Sequence, residues 1–142
     1  MTKIGTWGGE GGSECDIDTK SSVLLSVTIR SGDTINAISF AYLGSDGRVY
    51  SVGPWGGTGG KQVQIFFDPT NYVKEISGTM GTYGGNDVVP SLKIVPYKGN
   101  PNTFGVAKGT PFRIPVLDGG KIVGFFGRSS DVLDAIGLYI NN

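Results

Sequence analysis

Short runs of apolar residues alternate with polar and glycine-rich segments along the whole chain. Each run is rich in Val, Ile, Phe or Tyr and ends near Gly, Asn, Asp or Pro, a pattern typical of β-strands joined by turns. No window of a dozen residues keeps an apolar stripe of helical period, so we expect almost no helix. The pattern predicts an all-β protein with strands at residues 23–30, 37–43, 49–52, 62–67, 72–76, 88–95, 112–116, 121–126 and 135–140.

Two of the segments between predicted strands contain Asp-Gly, a dipeptide that readily adopts the positive φ angles of tight hairpin turns. These segments span residues 43–48 and 116–121. We therefore expect an antiparallel pair of strands around each of the two turns.

A glycine-rich motif recurs at nearly constant spacing. It reads WGGEGG at residues 7–12, WGGTGG at residues 55–60 and, more weakly, FGVAKG at residues 104–109. We call these segments the first, second and third glycine loops. The tryptophans that open the first two, Trp7 and Trp55, are expected to pack against the core and not to contact a ligand.

A second motif repeats as well. The segment DVLDAI at residues 131–136 is echoed by DTINAI at residues 33–38 and, faintly, by NYVKEI at residues 71–76. Three copies of two loop types predict three similar sheets around a pseudo-threefold axis, closed into a prism and not stacked as an open solenoid. The polar loop between the last two predicted strands, residues 127–137, offers backbone N–H donors and two carboxylates to a small ligand.

Length and composition narrow the class of protein. At 142 residues the chain can bury a core without cross-links, and we expect one domain over residues 1–142. Its 12 basic and 12 acidic residues cancel, so neither nucleic acid nor an anionic membrane is an expected partner. With no histidine and one cysteine, Cys15, we expect no disulfide, zinc site or cysteine nucleophile. Without a signal peptide or a membrane-spanning stretch, the sequence predicts a cytoplasmic protein.

Three segments, taken in order, resemble the jacalin-related lectins. They are WGGEGG at residues 7–12, TPF at residues 110–112 and GFFGRSSDVLDAIG at residues 124–137. The resemblance covers essentially the whole chain. It implies a β-prism I fold of three four-stranded Greek-key sheets with pseudo-threefold symmetry, and a non-enzymatic protein that binds sugar without metal or cofactor.

The resemblance also implies a main site between the first glycine loop and the last polar loop. Carried over to this sequence, that site consists of Gly12, Asp131, Val132 and Asp134. The backbone N–H groups of the first three are expected to donate to sugar oxygens, and the Asp134 carboxylate is expected to accept from two hydroxyls. The chemistry of the residues agrees, because a pyranose edge both donates and accepts hydrogen bonds.

The internal repeat predicts where a second sugar site lies. It would consist of Gly60, Asp33, Thr34 and Asn36, and it should be weaker because Asn36 replaces the charged acceptor Asp134 by a neutral amide. The third pairing expected from the repeat, Gly109 with residues 71, 72 and 74, places Lys74 at the acceptor position and should not bind sugar.

Sugar preference follows from the type of family member that the chain resembles. Galactose-specific members are cut into two chains near the glycine loop and carry aromatic residues beside the aspartate. This chain runs unbroken through Gly12 and has Val132 after Asp131, so we expect binding of mannose- or glucose-type glycans, as in single-chain cytoplasmic plant members with defence or stress roles. Tyr83 and Gly84, in the loop at residues 82–87, are expected to border the main site and select longer glycans.

Other functions stay open at this stage. The alternatives are a galactose-preferring lectin, a protein-interaction module, and a glycosidase that uses Asp131 and Asp134, although two carboxylates in one tight loop would line a single side of a ligand. Phosphate binding by the glycine loops is disfavoured because no predicted helix follows them. A homodimer would supply several sites, but no motif specifies its interface.

Overall fold

The computed structural model describes residues 1–117 and 119–142, which form twelve β-strands and contain no helix. The predicted all-β class is therefore confirmed for these residues, and nothing in them is a helix long and apolar enough to cross a membrane. The strands are β1 (Thr2–Gly8), β2 (Ser13–Cys15), β3 (Ser21–Ser31), β4 (Ile35–Gly44), β5 (Val49–Gly56), β6 (Lys61–Phe66), β7 (Val73–Tyr83), β8 (Asn86–Pro96), β9 (Asn102–Gly105), β10 (Thr110–Pro115), β11 (Lys121–Ser129) and β12 (Leu133–Asn141).

The strands pair antiparallel in groups that share one order. These groups are β1-β12-β11-β2, β5-β4-β3-β6 and β9-β8-β7-β10. In each group two long strands form a central hairpin, and the two flanking strands are joined to each other through a glycine loop. One residue pair, Ile122 with Val73, links the first and third groups into an eight-stranded sheet.

The apolar faces of the central hairpins build one core. Val27 and Ile29 of β3 and Ile136 and Leu138 of β12 have no exposed surface. In β12 every residue from Leu133 to Ile140 is buried, so both faces of that strand are covered. Gly137, between Ile136 and Leu138, is covered by the Phe126 ring, which leaves no space for a side chain there. The core therefore anchors both strands that lead into the last polar loop.

The two tryptophans pack as expected. Trp7 stacks on Phe112 with 5.7 Å between ring centroids, and Trp55 meets Phe40 edge-on at 5.4 Å. Both are partly buried against the core, which confirms their predicted packing role.

Three edge strands, β1, β2 and β9, were not predicted. They are short or rich in Gly, Ser and Thr, and most of their residues are exposed, so no apolar alternation marks them. Main-chain pairing with a buried neighbour defines them instead, as in β1, where Thr2 lies opposite Ile140 and Gly8 opposite Ala135.

The two predicted hairpins had different outcomes. Between β4 and β5 the turn at residues 43–48 is confirmed, with Gly47 at φ +82° and its N–H donating to the Gly44 carbonyl at 3.0 Å. Strands β10 and β11 do not form the second hairpin, because β10 pairs with β7 and β11 with β12 and β2. The turn expected at residues 116–121 includes Asp118, which lies outside the described residues.

Candidate ligand-binding site

The first glycine loop and the β11–β12 turn are packed directly against each other. Gly12 has φ +67°, and a Cβ placed on it would lie 2.2 Å from the Ser129 carbonyl oxygen. Only glycine can occupy this position without moving one of the two backbones. Ser13 pairs with Ser129 in the adjoining strands, so β2 and β11 hold the loop in register.

The Asp134 carboxylate lies inside this contact. Asp134 is 2% exposed, and the Ser130 hydroxyl donates to its Oδ1 at 2.7 Å. A Cβ on Gly11 would lie 2.8 Å from Oδ2, and one on Gly12 would lie 2.9 Å from Oδ1. The Gly9 N–H also donates to the Asp134 carbonyl at 2.8 Å. A buried carboxylate therefore faces a backbone that has no side chains to cover it.

The polar loop is shorter than predicted. Arg128 pairs with Ala135 and Ser129 with Leu133, so the strands continue inward and leave only residues 130–132 between them. Asp134 is thus a residue of β12 and not of the loop, which corrects the expected boundary at residues 127–137. The pairing of β11 with β12 buries Asp134 at a position where the sequence predicted a loop.

Asp131 and Val132 form the tip of this turn. The Ser130 N–H donates to the Val132 carbonyl at 2.9 Å, and the Asp131 residue is exposed. Among the described residues, the N–H groups of Gly12, Asp131 and Val132 have no hydrogen-bond acceptor. The four residues of the predicted main site therefore meet at one end of the strands, with three backbone donors and one carboxylate.

The second glycine loop meets the β3–β4 turn in the same way. A Cβ on Gly60, which has φ +74°, would lie 2.6 Å from both the Ser31 carbonyl oxygen and Asn36 Oδ1. The Gly57 N–H donates to the Asn36 carbonyl at 2.9 Å. The predicted second set of residues is therefore also brought together, with Asp33 exposed and Thr34 fully buried.

The second acceptor differs from the first in its surroundings. In the part of the chain that the structure describes, Asn36 Oδ1 is buried and accepts no hydrogen bond. The Ser130 position is occupied by Gly32, which has no hydroxyl to donate; its N–H donates to the Thr34 carbonyl at 3.0 Å. An unpartnered buried acceptor is costly unless a further donor reaches it.

The third pairing was predicted wrongly. A Cβ on Gly109 would lie 2.1 Å from the Met80 carbonyl oxygen, so the third glycine loop meets the β7–β8 hairpin and not residues 71, 72 and 74. Residues 71 and 72 precede β7, Lys74 is the second residue of that strand, and Tyr72 stacks on Tyr97 at 4.8 Å. Pro90 is equivalent in position to Asp134, because the Val106 N–H donates to its carbonyl at 3.1 Å as the Gly9 N–H does to that of Asp134. The proline ring has no side-chain acceptor.

The tip of the β7–β8 hairpin carries Tyr83 and Gly84. A Cβ on Gly9 would lie 2.1 Å from the Asp87 carbonyl oxygen, so the β8 strand just after the tip contacts the first glycine loop. Tyr83 is 39% exposed, and Lys108 Nζ lies 5.7 Å from the centroid of its ring. Tyr83 itself therefore contacts the third glycine loop.

Sequence reasoning missed two arginines and one serine at these sites. Arg128 donates to the carbonyls of the first glycine loop, Arg30 donates to those of the second, and Ser130 holds Asp134. The sequence contained a signal for the two arginines, because the repeat extends upstream as Arg-Ser at residues 30–31 and 128–129. Each arginine lies six residues before its acceptor, Asn36 or Asp134. No group of three or more residues of the types His, Cys, Asp or Glu that could hold a metal occurs in the described chain.

Comparison with known proteins identifies the family. The model of the jacalin-like lectin domain matches residues 4–139. Horcolin from Hordeum vulgare is 55% identical over 139 residues, which cover 97% of this chain and 95% of Horcolin. AcmJRL, a mannose binding jacalin related lectin from Ananas comosus, superposes with a TM-score of 0.94 at 40% identity, covering 98% of this chain and 96% of its own. Malaysian banana lectin superposes with a TM-score of 0.91 at 38% identity, covering 99% and 97%. The chain therefore belongs to the jacalin-like lectin domain family.

Proposed function

We propose that the protein is a lectin that binds mannose- or glucose-type glycans at Gly12, Asp131, Val132 and Asp134. The observation that carries this proposal is the buried Asp134 carboxylate, which lies against Gly11 and Gly12 with one oxygen held by Ser130. Membership of a lectin family supports a non-catalytic role, in place of the glycosidase alternative.

The donor and acceptor set suits an edge of a sugar ring. The free N–H groups of Gly12, Asp131 and Val132 donate to sugar oxygens, and the carboxylate accepts from neighbouring hydroxyls. Hydrogen bonds to a charged group contribute about 1.5–3 kcal/mol each, but desolvation and ordering offset much of that gain. An open site of this kind should bind a monosaccharide with a Kd on the order of 1 mM.

Several features support mannose over galactose. AcmJRL, similar over 98% of this chain, is described as mannose binding. The backbone runs unbroken through Gly12, and Val132 offers no aromatic ring to a galactose face. Galactose preference and a protein-interaction role without sugar are the alternatives that the titration below separates.

Calorimetric titration with methyl mannoside and methyl galactoside, in buffer containing EDTA, tests the function. Wild type should bind the mannoside in the presence of the chelator, and Asp134→Ala should lose that binding while it stays folded. A lower Kd for the galactoside than for the mannoside would reverse the proposed preference. A folded wild type that gives no heat with either sugar, or with a broad glycan panel, would favour the interaction module.

We also propose a weaker second sugar site at Gly60, Asp33, Thr34 and Asn36. Its support is the unpartnered Asn36 Oδ1, which a ligand hydroxyl could satisfy, and the glycine loop that approaches it as closely as the first loop approaches Asp134. A fitted stoichiometry near two in the same titration would support the site, and a stoichiometry of one would argue against it.

Finer points of architecture are proposals as well. The repeated order of strand pairing supports three four-stranded Greek-key sheets in a β-prism I with pseudo-threefold symmetry, and one domain over residues 1–142.

We also propose a homodimer, which would raise avidity for a multivalent glycan without new contacts to each sugar. Sedimentation velocity would detect the dimer. A cytoplasmic location and a role in plant defence are also proposed, with support from the resemblance to single-chain cytoplasmic plant members of the family.

A further inference from the structure

The Arg128 guanidinium donates hydrogen bonds to the first glycine loop. Its Nε donates to the Gly11 carbonyl at 3.0 Å and its Nη2 to the Gly12 carbonyl at 2.9 Å. The remaining Nη1 lies 3.6 Å from Glu14 Oε1, whose side chain is 87% exposed. The planar fork of the arginine therefore grips two successive peptide units of the loop and makes only a weak, solvated ion pair.

This grip determines where one amide points. The Gly11 carbonyl and the Gly12 N–H belong to the same planar trans peptide, in which the two groups point in opposite directions. A hydrogen bond that draws the Gly11 oxygen towards Arg128 therefore turns the Gly12 N–H away from it. That N–H has no acceptor among the described residues and is the donor proposed above for the sugar.

The second glycine loop repeats the arrangement. Arg30 Nε donates to the Gly59 carbonyl and Nη2 to the Gly60 carbonyl, both at 3.1 Å, while Nη1 donates to Gln62 Oε1 at 3.3 Å. By the same geometry the Gly60 N–H points away from the guanidinium. The hydrogen-bonded arginine is therefore present at both glycine loops that face a side-chain acceptor, Asp134 or Asn36.

The third loop lacks both the acceptor and the arginine. Thr79 lies opposite Ser91 as Arg128 lies opposite Ala135, and the Thr79 and Ser91 hydroxyls are hydrogen-bonded to each other at 2.8 Å. The loop closes on itself instead, with the Lys108 N–H donating to the Val106 carbonyl at 2.9 Å. An arginine clamp is thus absent where the described chain offers no acceptor for a sugar.

We propose that Arg128 and Arg30 are positioning residues that hold the glycine amides in the orientation a ligand needs. Neither acts as the sugar's own partner in this proposal, which rests on the proposed function. Four glycines in the first loop make its backbone unusually free, so ordering it during binding would be costly. The clamp supplies that order before the ligand arrives.

The test compares Arg128→Ala, Arg128→Lys and the control Arg113→Ala. Arg113 is a mostly exposed arginine of β10 that pairs with Glu75, and it donates no hydrogen bond to a glycine loop in the described part of the chain. NMR titration with methyl mannoside should show about 10-fold weaker binding at the Gly12 amide in both Arg128 variants, since a lysine ammonium cannot reproduce the two-bonded fork. Arg113→Ala should bind as wild type does. Without sugar, the NMR order parameter of the Gly12 amide should be lower in both Arg128 variants than in wild type.

Each outcome separates the positioning role from the sugar proposal. Wild type that fails to bind mannoside refutes the function, and the sugar-free order parameter of the Gly12 amide then decides the positioning role by itself. Wild type that binds, with Arg128→Lys equally tight and with an equal order parameter at Gly12, overturns the clamp. If Arg128→Ala does not fold, Arg128→Lys decides. Arg30→Ala should weaken binding at the Gly60 amide and leave the Gly12 amide unchanged.

Discussion

The two glycine-loop sites share one backbone arrangement, but they differ at the acceptor residue and at the residue four positions before it. In both, an arginine grips the loop, a loop N–H donates to the carbonyl of the acceptor residue, and a three-residue turn closes through one backbone hydrogen bond. The first site has Ser130 and Asp134, whereas the second has Gly32 and Asn36. The frame is therefore repeated, but the charge and the hydroxyl that supports it are not.

This difference indicates what each part contributes. A buried carboxylate needs a donor, and Ser130 supplies one to Oδ1 while Oδ2 remains beside Gly11. A neutral amide tolerates the lack of a hydroxyl better, but it leaves Asn36 Oδ1 buried without a partner. We infer that Ser130 and Asp134 belong together as a unit and that the proposed second site lacks both halves of it.

The largest expected loss of binding and stability comes from adding a methyl group between the first glycine loop and the β11–β12 turn. Gly12→Ala adds a Cβ that would lie 2.2 Å from the Ser129 carbonyl oxygen, on a residue whose φ is +67°. The variant should therefore lose mannoside binding at the first site, and its free energy of unfolding should fall by about 2–4 kcal/mol. Calorimetry and thermal unfolding measure the two effects.

Gly47→Ala is the matched control for backbone strain. Gly47 has φ +82°, but a Cβ placed on it would meet no atom within 4 Å, so its substitution should cost only about 1 kcal/mol and leave binding intact. Equal losses of stability in the two variants would mean that the close contact at Gly12 is not what makes glycine necessary there.

A smaller effect is expected from exchanging the differing side chains. Ser130→Gly with Asp134→Asn should make the first site about 10-fold weaker, because a charged acceptor becomes neutral. Gly32→Ser with Asn36→Asp should strengthen the second site by about the same factor. NMR titration that follows the Gly12 and Gly60 amides resolves the sites. Affinities that stay with the loops, and do not move with the side chains, would contradict the comparison.

Much of this fold could be predicted from the sequence, because apolar alternation marks the partly buried strands and the glycine motifs mark the repeated loops. The central strands and the repeated loops follow from them, including the equivalence of Asn36 with Asp134. Edge strands such as β1 and β9 were missed because their residues are exposed and held by main-chain pairing. The pairing of Gly109 was misplaced because a faint match at residues 71–76 outweighed the unlike sequence of the β7–β8 hairpin.

The site was only partly predictable for a related reason. Gly12 and Asp134 stand out in a motif, but the partners of a backbone carbonyl leave little trace in sequence. Arg128 contacts residues 116 and 117 positions away from it, and its role depends on a peptide orientation that only the folded loop shows. Ser130, a residue typical of turns, gave no indication that its hydroxyl holds a buried carboxylate.

The smallest expected effect concerns the hairpin beside the first site. Asp87 contacts the first glycine loop, whereas the Tyr83 ring faces Lys108 of the third loop. We therefore expect only an extended glycan to reach Tyr83 from the first site. Tyr83→Ala should weaken a mannotriose about 2-fold to 5-fold, through loss of one stacking contact, and leave methyl mannoside unchanged. Tyr97→Ala is the control, an exposed tyrosine that stacks on Tyr72 instead. If both sugars weakened equally in Tyr83→Ala, the hairpin would be supporting the first glycine loop itself, and the selection of longer glycans would have to be sought in another loop.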